Sequence, residues 1–395
     1  MTLSPRIAIL SESPTLGMAA LCREMQAQGI DVISMALGEP DMDTPEAIRR
    51  AAQNAIDNHM SHYGPVQGIL SLREAIAVHQ NSRVGNAILY QADDVIVAVG
   101  AKHAICNAIE TIIGPGDEVI IPTPSWVSYG EMVRMAEGRV VNISTQFEDN
   151  YCLTPEQLRE AITSRTKLLV LCSPNNPTGS VYTKQQLDGL MEVLRQHPQI
   201  VVLADEIYSA LMYEQQAVTL AAYPEIAERL IIVNGVSKAY AMTGYRIGWL
   251  LSKNKTFVAA CARMQSQQIT CASVPAQAAA EAALTLPIDN SILDTFAERR
   301  KLIIRLAREI RGFRFKEPQG AFYLFPDVSA IGNADDVTTY LLNEAHVAVV
   351  SGTAFGCPDC IRLSYAISQE QMVEAMRRIK EALEVHQSKI LNHQS

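Results

Sequence analysis

The sequence predicts an α/β protein, a large domain with a mostly parallel sheet beside a smaller α+β domain, and three observations carry that prediction. The 395 residues are 48% hydrophobic and 19% charged, enough to bury a core larger than one small domain holds. Short β-branched apolar runs alternate with stretches of helical period, the pattern of strands covered on both faces by crossover helices. The C-terminal third changes character, with long charged amphipathic segments flanking short strands.

Taken in order, the stretch up to Leu37 holds one helix, Ser13 to Gln28, and a short strand, and either domain could receive it. A helix from Pro45 to Asn58 is opened by Thr44 as cap with Pro45 in the first turn. Strands follow at Val95 to Val99, Lys167 to Leu171, Ile200 to Leu203 and Leu230 to Val233, with a helix from Lys184 to Gln196 capped by Thr183. Helices near Asp294 to Arg311 and Gln369 to His386 flank strands near Ala321 to Phe325 and Ile361 to Ser364. The domains are placed at 1–37 (N-terminal arm and part of the small domain), 38–285 (large) and 286–395 (small). No internal repeat or low-complexity linker interrupts them.

A net charge of −9 with scattered lysines and arginines leaves no basic face, so nucleic acid is not an expected partner. The apolar run Ile7 to Leu10 is broken by Ser11, Glu12 and Pro14, too short for a signal-peptide core, and no run spans a membrane; a cytoplasmic protein is expected. Eight cysteines without regular spacing read as reduced thiols. Cys357-Pro-Asp-Cys360 is the one local pattern; a metal site needs a second ligand pair, none follows, and neither zinc nor redox chemistry is assigned to it.

Ligands of open α/β sheets sit at the carboxyl ends of strands, and four strand-like runs end in polar residues. They lead into Gly100-Ala101-Lys102, Ser173-Pro-Asn-Asn-Pro-Thr-Gly179, Asp205-Glu-Ile-Tyr208 and Asn234-Gly-Val-Ser237-Lys238. A carboxylate ending an apolar strand, Asp205, stays ionised only beside a cation or strong donors; a protonated pyridine nitrogen would serve, and so would the plainer role of a turn or cap aspartate. Lys238 follows a buried strand, where desolvation would make its amine nucleophilic; a surface loop lysine is the plainer alternative. Arg246, in Thr243-Gly-Tyr-Arg-Ile-Gly248, offers a fork for a phosphate that Ser237 and the amides after Gly100 can help to cup. The turn Gly114-Pro-Gly116 lacks the later glycine and the opening helix of a nicotinamide-binding fingerprint.

Together, Ser237-Lys-Ala-Tyr-Ala-Met-Thr-Gly-Tyr-Arg-Ile-Gly248, Asn175-Asn-Pro-Thr-Gly179, Ala204-Asp-Glu-Ile-Tyr208 and Ile361-Arg-Leu-Ser364 resemble the class I and II aminotransferases, most of all the bacterial-type aspartate branch, from about Ser34 to Ser368. The resemblance implies a fold type I pyridoxal-phosphate transferase with a seven-stranded sheet, and a homodimer with shared active sites. It makes Lys238 the Schiff-base lysine and proton carrier, Asp205 the partner of the pyridinium, and Asn176 and Tyr208 donors to the ring's phenolic oxygen. Arg246, Ser237 and the backbone at Gly100, Ala101 and Lys102 would hold the phosphate, Trp126 would stack on the ring, and Tyr63 would reach the partner subunit's phosphate. Arg362 would clamp the substrate α-carboxylate under the loop at Gly38. Two positions depart from the branch: Ser125 replaces a tyrosine, which would widen the pocket, and Tyr245 replaces a tryptophan.

The substrates implied are an amino acid and a 2-oxo acid. A second carboxylate needs a second cation; Met264 to Pro275 holds no arginine or lysine, whereas Lys102 matches the lysine that serves the bacterial branch. Aspartate or glutamate is therefore expected, with aromatic acids, prephenate or a β-lyase reaction as alternatives, and Lys102 facing only the phosphate region or solvent as the plainer reading. A regulatory protein on the same fold is disfavoured by the complete catalytic set and by the lack of a DNA-binding segment before Ser34.

Overall fold

A computed structural model describes residues 3–214, 216–287 and 290–393. Its strands in chain order are β1 (Ile33–Ser34), β2 (Val95–Val99), β3 (Glu118–Thr123), β4 (Arg139–Ser144), β5 (Thr166–Cys172), β6 (Val201–Asp205), β7 (Leu230–Gly235), β8 (Ile247–Leu251), β9 (Tyr323–Leu324), β10 (Val347–Ala348), β11 (Val350–Ser351) and β12 (Ile361–Ser364). Seven of them form one sheet in the order β2-β8-β7-β6-β5-β3-β4. All its pairings are parallel except those of β8, which runs antiparallel to both β2 and β7.

Both faces of the sheet are covered, which is why its central strands are apolar without alternation. Val95 and Val97 point into one core with Leu169, Leu171, Leu190 and Met191, while Ile96 and Ala98 point into the opposite core with Leu168, Val170, Ile105 and Ile109. The helix Lys184–Arg195 begins with a full capping box, Thr183 Oγ1 accepting from the Gln186 amide at 3.2 Å while Gln186 Oε1 accepts from the Thr183 amide at 2.9 Å.

Thr44 departs from expectation. The helix expected after Thr44 runs Glu46–Asp57 with Pro45 at its N-cap, and the Thr44 hydroxyl donates instead to the Ala241 carbonyl at 2.7 Å. That carbonyl belongs to a left-handed residue (φ 51°) in the loop between β7 and β8, and Thr44 supplies the partner it needs.

A third core gathers around the helices Ser291–Ala307, Ala334–Glu344 and Gln369–His393 and the antiparallel sheet β11-β12-β9. β1 pairs in parallel with β10, so the N-terminal stretch lies beside C-terminal strands. The Met35 amide donates to Ala348 and the Met35 carbonyl accepts from Ser364, both at 2.8 Å, fixing the entry to the Gly38 loop. Ile207, Tyr208 and Leu211, just after β6, pack into this core and join it to the large sheet.

Candidate active site

The carboxyl ends of β5, β6 and β7, the helix Gly100–Ile112 after β2, and β12 converge on a cleft of about 300 Å³. It is lined by Gly38, Ala101, Lys102, Trp126, Asn176, Asp205, Tyr208, Ser237, Lys238, Arg246 and Arg362, which brings together eleven of the thirteen residues expected from the sequence. Gly100 stands at the start of the same helix. Tyr63 is not brought in: 89% exposed, it does not line its own chain's cleft.

Asp205 ends β6 and is 4% exposed. Its Oδ2 accepts from Tyr129 Oη at 2.6 Å and its Oδ1 from the Ile207 amide at 3.1 Å, so the turn-aspartate bond exists but covers one oxygen only. Burial pushes the carboxyl up to about 6 although both donors lower it: two neutral donors do not replace the lost water. The group is a buried anion short of a cation.

Lys238 follows β7, and its Nζ donates to the Gly38 carbonyl at 2.5 Å. Burial drives its ammonium down to about 8, against the Glu39 carboxylate, which raises it; Arg362 and Arg246 lower it further. Arg362 is 2% exposed on β12, donating from Nη1 to Asn176 Oδ1 at 2.9 Å and from Nη2 to the Ala36 carbonyl at 2.5 Å. Its Cζ lies 4.6 Å from the Tyr323 ring centre and 4.8 Å from that of Phe355, while its Nε is buried without a partner. A fixed, half-paired guanidinium suits a carboxylate arriving from the cleft.

At the other end, Arg246 adopts a left-handed backbone (φ 58°) that aims its guanidinium at the start of the helix Gly100–Ile112. Gly248 makes the approach possible, since a Cβ there would lie 2.3 Å from the Ala101 nitrogen. Free amides at a helix start, an arginine and the buried Ser237 form an anion cradle. Lys102 lines the cleft with Nζ 5.0 Å from the centre of the Trp126 ring, while remaining partly open to solvent.

Sequence reasoning missed two participants. Tyr129 meets Trp126 edge-on at 5.2 Å while holding Asp205. Tyr323 shares a 2.8 Å hydrogen bond with Tyr208 and sits so close to Gly38 that a Cβ there would fall 2.1 Å from its hydroxyl. The Pro124-Ser-Trp-Val-Ser-Tyr129 motif could have flagged the first; no local signal marks the second. Ser125 corrects an expectation: its amide donates to the Phe355 carbonyl at 3.0 Å and it lines a separate small cavity with Tyr151, Asn175 and Tyr182, so the room it leaves lies outside the main cleft. Tyr245 packs against the large-sheet core.

With this fold and cleft described, residues 30–379 match the family model for aminotransferases of class I and II, and the chain belongs to that family. It is 40% identical, over 97% of its length and 83% of the relative's, to a bifunctional aspartate aminotransferase and glutamate/aspartate-prephenate aminotransferase of Petunia hybrida. Its fold superposes on aspartate aminotransferase from Rhizobium meliloti with a TM-score of 0.93 at 37% identity, covering 97% and 99% of the two chains. For the Thermus thermophilus aspartate aminotransferase with maleate the values are 0.91, 38%, 97% and 100%. The chain is thus a transaminase by family, and the fold class read from its sequence stands. Among the described residues no helix is long and apolar enough to cross a membrane.

Proposed function

We propose that the protein moves an amino group between aspartate or glutamate and a 2-oxo acid, using pyridoxal phosphate bound at Lys238. The observation that carries this reading is the gathering of Lys238, Asp205 and Arg362 in one cleft whose far end is an anion cradle. The residues fit the cofactor on their own geometry: a buried carboxylate short of a cation, a lysine whose ammonium is pushed down to about 8, and a cradle that admits no extra Cβ at Gly248. When bound, the pyridinium ring supplies an electron sink for the bond broken at the substrate α-carbon.

This chain's residues do the rest. Asp205 holds a proton on the ring nitrogen, and Asn176 and Tyr208 donate to the ring's phenolic oxygen. Arg246, Ser237 and the amides at Gly100 to Lys102 hold the phosphate, and Trp126 stacks on the ring. Arg362 takes the substrate α-carboxylate and the Gly38 loop closes over it, so that the α-hydrogen faces Lys238 Nζ. Lys238 would take that proton at Nζ and hold it for return, and the same residues would serve the second half-reaction in reverse, giving ping-pong kinetics.

Lys102, in the cleft beside Trp126, is the cation that meets a side-chain carboxylate, since the segment Met264 to Pro275 offers none. The maleate named with the Thermus relative, a dicarboxylate, supports this choice, and the Petunia relative's name makes prephenate the second acceptor to test. We further take the working enzyme as a cytoplasmic homodimer that serves amino-acid biosynthesis, with Tyr63 reaching the partner's phosphate and the boundaries at 37/38 and 285/286 separating its domains. The test is a panel of amino acids assayed with 2-oxoglutarate on cofactor-loaded protein. Aspartate should give oxaloacetate and glutamate at the highest kcat/KM. Pyruvate and ammonia from a cysteine conjugate without any oxo acid would replace this reading with a β-lyase.

A further inference from the structure

Cys357 and Cys360 have no part in amino-group transfer, yet the structure gives them a definite geometry. They open and close a turn in which the Cys360 amide donates to the Cys357 carbonyl at 3.2 Å, with Pro358 presetting the second position. Such a turn keeps its first and last Cα within about 7 Å, and a disulfide spans about 4.4–6.8 Å. The two sulfurs already touch at 3.5 Å, so both side chains leave the turn on the same side.

The turn is held from behind by Gly352, whose amide donates to the Cys360 carbonyl at 2.6 Å and whose carbonyl accepts from the Cys357 amide at 2.9 Å. A Cβ at Gly352 would lie 2.1 Å from the Cys357 oxygen, so the backbones meet only because this residue is glycine. Access is one-sided. Cys357 is half-buried between the exposed Gly356, Pro358 and Asp359, whereas Cys360 is buried with its sulfur 3.4 Å from Tyr151 Oη. The Cys360 thiol beside it lowers Cys357, and that contact together with burial raises Cys360, so the reachable sulfur is also the one that ionises more easily. By contrast, burial pushes Cys152 and Cys261 up to about 12, leaving them poor nucleophiles.

We infer that Cys357 and Cys360 form a reversible dithiol–disulfide site, oxidised by small-molecule disulfides and restored by small thiols. The Cys357 thiolate attacks one sulfur of the oxidant, a mixed disulfide forms, and the first small thiolate leaves. Cys360 then gives up its proton to solvent and attacks the Cys357 sulfur, releasing the second small thiol. In sum, two protein thiols are oxidised to one bridge while one external disulfide is reduced to two thiols. The site lies two residues before Arg362, in the segment whose Phe355 packs on that guanidinium.

The test uses the full chain loaded with pyridoxal phosphate, equilibrated with mixtures of oxidised and reduced glutathione, quenched in acid, alkylated and mapped by mass spectrometry. The wild type should lose the mass of two hydrogens, with the bridge in the peptide holding both cysteines, and excess reduced glutathione should reverse it. Cys360→Ser should instead keep one glutathionyl group on Cys357, and Cys357→Ser should show neither bridge nor adduct at position 360. Free alkylation of both thiols at every ratio, or a wild-type product that stops at the Cys357 adduct, overturns the proposal. The wild-type and Cys357→Ser masses decide the matter even if Cys360→Ser does not fold, and neither depends on which amino acid the enzyme uses.

Discussion

Lys238 and Asp205 are displaced from ordinary protonation behaviour by the same cause, burial at the end of an apolar strand. For the lysine the displacement is an advantage. An ammonium pushed down to about 8 leaves about a tenth of the amine neutral at pH 7, where an exposed lysine near 10.4 leaves less than about a thousandth. Lowering a lysine's pKa favours the neutral, nucleophilic form, so capture of pyridoxal phosphate should quicken as pH rises through 8 and then level off. The rate at which borohydride fixes the cofactor to position 238, measured across pH 6 to 11 on initially cofactor-free protein, checks this. A midpoint above 10 would mean that the amine is solvated, contrary to the burial described.

Among the elements, the loop from Val236 to Arg246 and the start of the helix Gly100–Ile112 are fitted to each other with no space to spare. Gly248→Ala places a methyl group 2.3 Å from the Ala101 nitrogen, and neither backbone can yield without moving the cradle. Overpacking of this kind costs about 1–3 kcal/mol of stability. Cofactor affinity should fall with it, and urea denaturation with and without pyridoxal phosphate separates the two losses; unchanged affinity would detach the cradle from phosphate binding.

The same elements show what was legible beforehand. β2, β5, β6 and β7 are plain in the sequence because both their faces are buried, and the site residues at their carboxyl ends could be read off in order. β4 is harder to see, an edge strand with exposed Arg139, Asn142 and Ser144. Thr44 carries every local mark of a cap, yet a backbone carbonyl nearly two hundred positions away claims its hydroxyl. Tyr323 reaches the cleft only because β9 pairs with β12, Tyr323 opposite Ser364, a long-range fact with no local trace.

At the scale of the whole molecule, Tyr63 is the outlier: an aromatic 89% exposed, with Ile56 at 63% and Leu70 at 54% nearby in sequence. Exposed large apolar side chains of this kind fit the surface that a second subunit would cover in the proposed homodimer. In the proposed homodimer each cleft draws Lys238 from one subunit and Tyr63 from the other, so defects at the two positions can be sorted between clefts. Lys238→Ala and Tyr63→Ala homodimers should both be impaired, and refolding them as a mixture should restore turnover beyond that of either parent, because a hybrid dimer holds one intact cleft. A monomeric protein, or a mixture no better than its parents, would remove the partner subunit from the site.

The reversed direction of β8 has a consequence at this same scale. A parallel strand there would enter from the far rim of the sheet, a strand length of roughly 16 Å away. Running backwards, β8 starts at the rim where β7 stops, so Lys238 and Arg246 hang from one short hairpin that never crosses the molecule. The two ends of whatever they grip are thereby tethered to one rigid bracket, and movement of the C-terminal elements against the large sheet would leave the distance between them untouched.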